Sequence, residues 1–544
     1  MSKEKKCFII GIGGTGMRCL ETFTHMCAMG LYDGMEFNVL TLDTDFTNGN
    51  KNRTENLIKD YNNIKKTSDS KNGAANNDSF FSAKINLFEF VTDYNANGRK
   101  RFSELTNLKS DNDDFSDSKM LAELFLSEDV QNFDLSHGYR AQTHLGSYLM
   151  YHAITDLAKR LKAGVDIKDG EKQFEEFLNL LYNAKEDARI FVFGSIFGGT
   201  GASSIPVIPK ALNDALDIYG DGKMSIDKGA KFGATLLSEY FKFKKPADSQ
   251  KSNRDNAIIA DSSFFTLNSQ AALQFYQSDP TVKKTYQKMY HIGWPIDAID
   301  YSKGKNEKET ITGGAAQKNQ CHITELMCGC AAWDFFHSER FLSEAESVYL
   351  YKSVRFEDNI LNFSKDDFIG DGKNGELFGK KFGNFVAFMH LVLTKNEGAL
   401  GHDGVNFLLK RIGEVTDIYS ALDQQYTSLL TKYFRSFGYT IDNGVFVPGW
   451  LYQIKNSVPG KLVLDSTAYT TVPKELKKLD AGELFTEKEL HWKSKFMGGS
   501  YDPFISTLKD EDTLPSSNKN QNANVTHEKF IAHIYNSINA SINN

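Results

Sequence analysis

Two glycine-rich segments of this sequence have the residue types and spacing to bind an anion through backbone N–H groups. Each follows a short apolar run that predicts a buried strand, and each precedes apolar residues at helical spacing. Glycine lets the backbone approach an anion closely, and the free N–H groups of a helix N-terminus point towards it. The first segment contains Gly11, Gly13, Gly14, Thr15 and Gly16, and the second contains Phe197, Gly198, Gly199, Thr200 and Gly201. Their chemistry is phosphate binding from two sides.

Taken alone, the first segment is compatible with three interpretations, of which binding of a mononucleotide phosphate is the first. Its GxGxxG pattern also begins dinucleotide-binding folds, in which Asp43 or Asp45 after the second predicted strand would hold a ribose. A plain glycine turn is the third. The second segment favours a mononucleotide, because a dinucleotide fold needs only one such loop. That segment lacks the Gly-Lys-Ser/Thr ending of a Walker loop, so backbone N–H groups and hydroxyls would hold the phosphates.

Length and composition limit the classes of protein to consider. A chain of 544 residues predicts two or more packed units, and 40% hydrophobic with 24% charged residues predicts a globular protein. A net charge of -7 does not favour nucleic acid or an anionic membrane as a partner. The six cysteines form no CxxC pair, which predicts reduced thiols. Apolar runs stay short of the roughly 20 residues of a membrane span, so we expect a cytoplasmic protein without membrane insertion.

The order of predicted elements favours a parallel α/β sheet of Rossmann type followed by a second, α+β unit. A helix is predicted over Phe264–Tyr276, with Phe264, Leu267, Ala271 and Phe275 on one side. The predicted strands of the first unit are Cys7–Ile10, Phe37–Leu42, Ile190–Phe193 and Phe232–Leu237. The second unit is predicted to contain a strand over Phe385–Leu393, a helix over Phe407–Leu422 and a hairpin over Tyr439–Val447.

Four segments, in order along the chain, resemble the nucleotide-binding loops of the tubulin/FtsZ superfamily. The second glycine segment, continued to Pro206 and Ile208, resembles the signature GGGTGTGAAPVI, with Pro206 in register. Gly11–Gly16 resembles the family's first loop, and Asp43–Asp45 resembles its Asn-Thr-Asp after the second strand. Gly138–Gly146 keeps the outer glycines and central alanine of the loop GAGANPEVG. The chain is most similar to diverged bacterial tubulin-like proteins.

The resemblance implies a fold and a ligand. The fold would be a Rossmann-like GTPase domain of tubulin/FtsZ type, a long central helix and a second α+β domain. The corresponding segments are 1–260 for nucleotide binding, 261–300 for the central helix and linker, 301–514 for the C-terminal domain, and 515–544 for an Asn-rich end. The ligand would be GTP or GDP, with Mg²⁺ neutralising the phosphates. Further binding residues would be Gly138, Tyr139, Arg140, Ala141 and Gln142, besides Thr44.

The resemblance also implies residues for recognition of the guanine base and for hydrolysis. Asn268 lies where the family reads guanine, since an amide offers both a donor and an acceptor; an Asn that caps or faces solvent is the alternative. Gln320, His322 and Glu325 match the spacing of the catalytic loop NxDxxE, in which only the final acid is retained. The alternative for Glu325 is an acid that favours the dipole in a first helical turn. Cys321, Cys328 and Cys330 beside His322 are interpreted as core cysteines, without a metal.

The resemblance implies that the chain assembles with itself head to tail into cytoskeletal filaments. GTP hydrolysis would then be completed in trans, because the loop around Glu325 would dock on the nucleotide of the next subunit. A nucleotide-switched adaptor with little or no hydrolysis is the alternative, favoured by the replacements at Gln320 and His322. A Rossmann oxidoreductase that uses NAD is a third hypothesis, for which the sequence shows no hydride-transfer constellation.

Overall fold

The fold is known from a computed structural model. It describes residues 5–45, 47–65, 75–91, 101–105, 117–132, 135, 139, 143–164, 167, 169–242, 262–294, 299–300, 315, 321–338, 348–352, 355–357, 360–364, 366–393, 404–413, 416, 419–420, 422, 424–440, 446–450, 456–458, 461–465, 506–515, 520 and 525–543.

The described chain is organised around one parallel sheet of seven strands. Along the sheet they lie in the order β3-β2-β1-β4-β5-β6-β7, which is the Rossmann order extended by one strand. The strands are β1 Lys6–Ile12, β2 Glu36–Asp43, β3 Lys84–Val91, β4 Ala188–Phe193, β5 Lys231–Leu237, β6 Tyr286–Ile292 and β7 Val348–Lys352. The predicted α/β class and parallel sheet are confirmed.

Helices cover both faces of the sheet, which is why its central strands are apolar on both sides. Ile9 and Phe191 face one buried cluster, whereas Ile10 and Val192 face the other. The described helices are α1 Gly13–Ala28, α2 Gly49–Lys65, α3 Phe102–Leu105, α4 Asp117–Phe125, α5 Glu128–Asn132, α6 Thr143–Ala163, α7 Asp169–Ala184, α8 Gly199–Ser204, α9 Ile208–Tyr219, α10 Phe265–Ser278, α11 Pro280–Thr285, α12 Ile323–His337, α13 Asp366–Ile369, α14 Lys373–Leu393, α15 Gly404–Gly413, α16 Gln424–Phe437 and α17 Thr526–Asn543.

One face of the sheet carries α1, α2 and α12, and the C-terminal helices α14, α16 and α17 pack outside them. The other face carries α6, α7 and α9. Helix α12 is buried almost all round, as expected of a helix that is apolar on every side.

The smaller strands form separate sheets: Phe241–Lys242 pairs in parallel with Ile299–Asp300, and the others belong to the C-terminal half. Strands β8 Arg355–Glu357, β9 Ile360–Ser364, β12 Asn456–Val458 and β13 Lys461–Asp465 form an antiparallel sheet in the order β8-β9-β13-β12. Strands β10 Gly438–Thr440 and β11 Phe446–Pro448 pair antiparallel, as the hairpin prediction requires. None of the helices in the described ranges is both long and apolar enough to cross a membrane.

The main sheet extends past the boundary at residue 260 that the sequence predicted. Strands β6 and β7 lie at 286–292 and 348–352, so the segment 261–300 contributes α10, α11 and β6 to the layers of the main sheet. Strand β6, Tyr286–Ile292, carries polar residues at Gln287, Lys288 and His291.

Two local predictions need correction. The strand over Phe385–Leu393 is the last part of helix α14, because a short unbroken apolar run does not distinguish a buried strand from a buried helix. Helix α10 is present, but it turns Phe265, Ala272 and Tyr276 inward and leaves Leu267 and Phe275 exposed. The Asn-rich end after 515 includes helix α17, whose Phe530 and Ile534 are fully buried.

Candidate functional site

The two glycine segments meet at the point where the strand order of the sheet reverses. The chain leaves β1 towards β2 on one side, and β4 lies on the other side of β1. In open α/β sheets, ligands bind in the crevice outside the carboxyl ends of the strands at this switch point. The first segment joins β1 to α1, and the second joins β4 to α8. Both therefore line the same crevice.

The two glycine segments lie next to each other. Gly13 has a φ of +65°, and a Cβ added there would lie 3.1 Å from the Cβ of Thr200 and 3.7 Å from the backbone N of Gly201. A Cβ on Gly16 would lie 2.6 Å from the carbonyl oxygen of Phe193 at the end of β4. These glycines are required because any side chain would push the two segments apart. The sequence-predicted loops are one site.

Helix α1 presents a free N-terminus at this site. It begins at Gly13, it has no side-chain cap in the described chain, and its first turn contains no acidic residue. Its first N–H groups therefore keep their capacity to bind an anion, and the helix dipole favours negative charge there.

Asp43 is the last residue of β2, Thr44 and Asp45 follow it beside the first segment, and all three are buried. Burial and the neighbouring charge of Asp45 raise the pKa of Asp43 to about 7. The hydroxyl Oγ1 of Thr44 is buried and has no hydrogen-bond partner among the described residues. Buried hydroxyls are nearly always bonded, so this atom is available to a ligand of the crevice.

Oxygen donors of the kind that Mg²⁺ prefers are therefore present, on Asp43, Thr44 and Asp45. Within the described ranges, no three His, Cys, Asp or Glu side chains converge as a metal cluster. These residues fit a magnesium ion that is bound through one or two carboxylates and by the phosphates themselves.

The third predicted segment approaches the second one. A Cβ added to Gly146 in α6 would lie 2.4 Å from Cδ2 of Tyr139 and 2.5 Å from Oγ of Ser203 in α8. The hydroxyl of Ser147 donates to the carbonyl of Ser203 at 2.7 Å. Tyr139 is buried at this contact. Gly138, Arg140, Ala141 and Gln142 lie outside the described residues.

Asn268 is brought to the second glycine segment. Its Nδ2 donates to the carbonyl of Phe197 at 3.3 Å, and the side chain is half-buried. The contact shows Asn268 holding the loop, while its role in base recognition stays a prediction.

An aromatic cluster that the sequence did not predict adjoins the second segment. The rings of Phe197 and Phe265 are 4.9 Å apart, and those of Tyr240 and His322 are 4.8 Å apart. Trp294 meets His322 edge-on at 4.5 Å. Aromatic residues directly after β5 and β6 were the available signal, since the carboxyl ends of parallel strands share one edge of the sheet.

His322 is a neutral, buried donor at the start of α12. Burial, and to a smaller extent the charge of Arg18, lowers its pKa to about 3. Its Nδ1 accepts from the backbone N–H of Thr324 at 3.1 Å, so the proton lies on Nε2. Nε2 is buried without a partner among the described residues. A base that is neutral and enclosed in this way is not placed to take up a proton near pH 7.

Glu325 lies inside its own subunit, with its side chain only 1% exposed. Arg18 of α1 binds both of its oxygens, from Nε at 2.7 Å and from Nη2 at 2.8 Å. The hydroxyl of Tyr240 donates to Oε1 at 2.7 Å, and the backbone N–H of His322 donates to Oε2 at 3.1 Å. The last contact completes a capping box, as expected of an acid in a first helical turn. Gln320 lies outside the described residues.

The charges continue from Arg18 into α2. Nη1 of Arg18 is 3.5 Å from Oε2 of Glu21. Glu21 in turn accepts from Nε of Arg53 at 2.6 Å and from the hydroxyl of Thr54 at 3.2 Å. Positive and negative groups alternate along the chain of contacts, so each buried charge has an opposite neighbour.

Two further residues were missed by sequence reasoning. Lys51 in the first turn of α2 is buried and ion-paired with Glu55, and its charge acts on Asp43. The role of Arg18 was not predictable from the sequence, because its partner Glu325 lies 307 residues away. Cys328 and Cys330 are buried in the core, as interpreted, and burial raises the pKa of the Cys328 thiol.

Fold and site together define an α/β protein with a Rossmann-like parallel sheet and a two-loop glycine site at its switch point. Comparison with known proteins does not extend this class: no protein-family model matches the chain, and no curated protein is significantly similar to it.

Proposed function

We propose that this chain is a GTP-binding protein of the tubulin/FtsZ superfamily that assembles head to tail into filaments. The observation that carries the proposal is the contact of the two glycine segments, Gly13 against Thr200, at the switch point of the sheet. A mononucleotide there would be bound from both sides, by N–H groups of α1 and by N–H groups and hydroxyls of the second segment. A dinucleotide-binding fold needs only one glycine loop, so the NAD alternative leaves the second segment without a function.

Each remaining part of the pocket has a role in this proposal. Thr44 and the acids beside it would serve the sugar, or the phosphates through Mg²⁺. Asn268 at the second segment would read the base. Helix α10, in the 261–300 segment, would correspond to the central helix of the family, and α12 begins within the loop that contains Glu325.

Exposed apolar side chains support self-assembly. Large exposed apolar patches often mark protein–protein contacts. Helix α4 exposes four large apolar side chains, with Leu124 at 74% and Phe125 at 71%. On and beside α10, Phe264, Leu267 and Phe275 are also exposed. A head-to-tail contact that repeats along one axis would bury such surfaces and grow into a filament.

The position of Glu325 favours one other candidate. To polarise a water in the neighbouring subunit, Glu325 would have to leave Arg18 and Tyr240, and breaking a buried ion pair costs about 3–5 kcal/mol. The second candidate is therefore a nucleotide-switched adaptor that binds GTP, hydrolyses it slowly or not at all, and recruits a partner.

Sedimentation and electron microscopy test the main proposal. The pure protein is centrifuged with GTP, GDP or a slowly hydrolysed GTP analogue, and we expect pelleting above a critical concentration with the analogue. Filaments should be visible in the same samples. Absence of pelleting at every concentration, together with tight GTP binding, would favour the adaptor.

Nucleotide specificity is measured separately with fluorescent GTP displaced by GTP, ATP or NADH. We expect displacement by GTP in preference to ATP. Equal displacement by both would contradict the guanine assignment, and displacement by NADH alone would favour the oxidoreductase.

A further inference from the structure

We propose that the Arg18–Glu325 ion pair is a clamp that holds the first turns of α1, and with them the first glycine segment, in the phosphate-binding position. Glu325 is then a positioning residue that acts within its own subunit. The inference rests on the proposed nucleotide site for its functional consequence, whereas its structural part stands on the contacts alone.

The clamp lies at the nucleotide end of the two helices. Helices α1 and α12 pack closely along their length, and a Cβ added to Gly329 would lie 2.4 Å from Sδ of Met26 and 3.1 Å from Cγ2 of Thr22. Those middle contacts are mainly apolar. The bidentate ion pair comes from Arg18, five residues after the start of α1, or about 7.5 Å along its axis.

Three chain segments that line the crevice meet at the carboxylate of Glu325. Arg18 belongs to the helix after the first glycine segment, Tyr240 lies in the loop after β5, and the N–H of His322 is at the start of α12. Tyr240 also contacts Phe197 of the second segment, with ring centroids 6.2 Å apart. The carboxylate therefore links both glycine segments through one buried group.

Physical chemistry makes this link stiff. A guanidinium and a carboxylate bound through two parallel bonds have a fixed mutual orientation. Both side chains are only 1% exposed, so any movement of α1 away from α12 would break two buried, charge-assisted hydrogen bonds at once. Removal of the clamp should thus loosen the start of α1 before it affects the rest of the helix.

The test removes the clamp without changing the net charge of the site. The double variant Arg18→Met/Glu325→Leu replaces the ion pair by apolar side chains, a change that buried pairs often tolerate. The matched control is Asp33→Asn/Lys381→Met, because this pair is also an ion pair, at 2.7 Å, with Lys381 buried. It joins α14 to the loop after α1, at the end remote from the glycine segments.

Two measurements are made on the full chain: affinity for fluorescent GTP, and hydrogen–deuterium exchange of the peptide covering residues 11–20. We expect about tenfold weaker binding or more, equal to about 1.4 kcal/mol, and faster exchange in the clamp variant. The control pair should change neither quantity by more than about twofold. Parent-like affinity or parent-like exchange in the clamp variant would overturn the proposal.

Failure of the proposed function gives a different result. If the parent protein binds no GTP, the nucleotide proposal fails, while exchange over residues 11–20 still decides whether the clamp exists. If the double variant does not fold, Glu325→Gln, which keeps the shape of the side chain, is compared with the parent by the same exchange measurement.

Discussion

At the scale of single residues, the site depends on a backbone conformation that only glycine adopts easily. Gly13 has a positive φ and also lies close to the second segment. A second glycine with the same φ but no close neighbour separates the effect of φ from the effect of the contact. Gly164 at the end of α6 has the same φ of +65°, but a Cβ there would meet nothing within 4 Å. The chain thus supplies its own control for the contact.

Gly13→Ala should abolish nucleotide binding, whereas Gly164→Ala should leave it intact. Both substitutions force alanine into the left-handed region, which costs about 1–2 kcal/mol. In Gly13→Ala the new methyl group also presses on Thr200 and separates the segments. The measurements are urea unfolding and titration with fluorescent GTP. Equal GTP affinity of the two variants would show that contact between the segments is not needed for binding.

Buried histidines make stability depend on pH in a defined direction. Burial lowers the pKa of His322 to about 3, and that of His25 also to about 3. Between pH 6.5 and 3 the unfolded chain therefore binds more protons than the folded one, so the free energy of unfolding falls as the pH falls. Asp43 acts in the opposite direction, because its raised pKa makes the folded state bind the extra proton between about pH 7 and 3.8.

His322→Asn isolates the contribution of one histidine. Asparagine is a preferred helix N-cap, so it retains the bond to Thr324 without a titrating group. Between pH 6.5 and 5.0 the parent should lose about 1.7 kcal/mol more stability than the variant, because the unfolded histidine goes from half to almost fully protonated over this range. Urea unfolding at a series of pH values measures this difference, and the effect of Asp43 cancels between the two proteins. Parallel pH profiles would mean that His322 is not neutral and enclosed in the folded state.

The glycine segments and the acids after β2 were predictable because their information is local. A strand, a run of glycines and a helix lie within about 20 residues, and parallel strands bring such loops to one edge of a sheet. The partners of Glu325 were not predictable, since Arg18 is 307 residues away and a lone arginine in a helix carries no signal of its partner. The spacing of Glu325 from Gln320 and His322 matches the catalytic loop of the family, and this match predicted a catalytic role for Glu325 instead.

At the scale of elements, sequence periodicity predicted the central strands but not the buried helix α14. Strands β1, β2 and β4 are short apolar runs that end at glycine or acidic residues, and β5 is a further apolar run. Helix α14 contains an apolar run with the same local appearance, and its helical character shows only over the longer spacing of Phe378, Phe382, Phe385 and Phe388. Helix α17 is rich in asparagine, yet it has an apolar face on which Phe530, Ile534 and Ile538 are buried.

Helix α17 should be essential for stability despite its position near the end of the chain. Ile534 is fully buried in the cluster that also contains α14 and α16. Ile534→Ala should lower the free energy of unfolding by about 2–5 kcal/mol, since it removes buried apolar groups and leaves a cavity. Lys529→Ala on the exposed side of the same helix is the control, with an expected change within about 0.5 kcal/mol. Equal unfolding midpoints for the two variants would show that α17 does not pack on the core.

At the scale of the whole molecule, the parallel sheet places the chemistry at one edge and leaves apolar groups on helices of its outer surface. The main sheet contains strands from residue 6 to residue 352, and the C-terminal helices stabilise α1 and α2 from outside. A sequence pattern cannot reveal this arrangement, because whether an amphipathic helix turns its apolar side inward depends on what is available to cover it. Helix α4 shows the result, with its large apolar side chains exposed.

Those exposed side chains supply the test of assembly that is independent of nucleotide binding. Leu124→Gln and Leu267→Gln change side chains that are 74% and 59% exposed, so neither should alter the fold or the affinity for GTP. If a second copy covers these helices, each substitution removes an apolar contact worth about 1–3 kcal/mol and should raise the critical concentration for sedimentation about tenfold. Lys223→Gln, on an exposed turn after α9, is the control and should sediment like the parent. Unchanged critical concentrations for both leucine variants would exclude α4 and α10 from the filament contact, and a filament formed by other surfaces would then have to leave Leu124 and Leu267 in solvent.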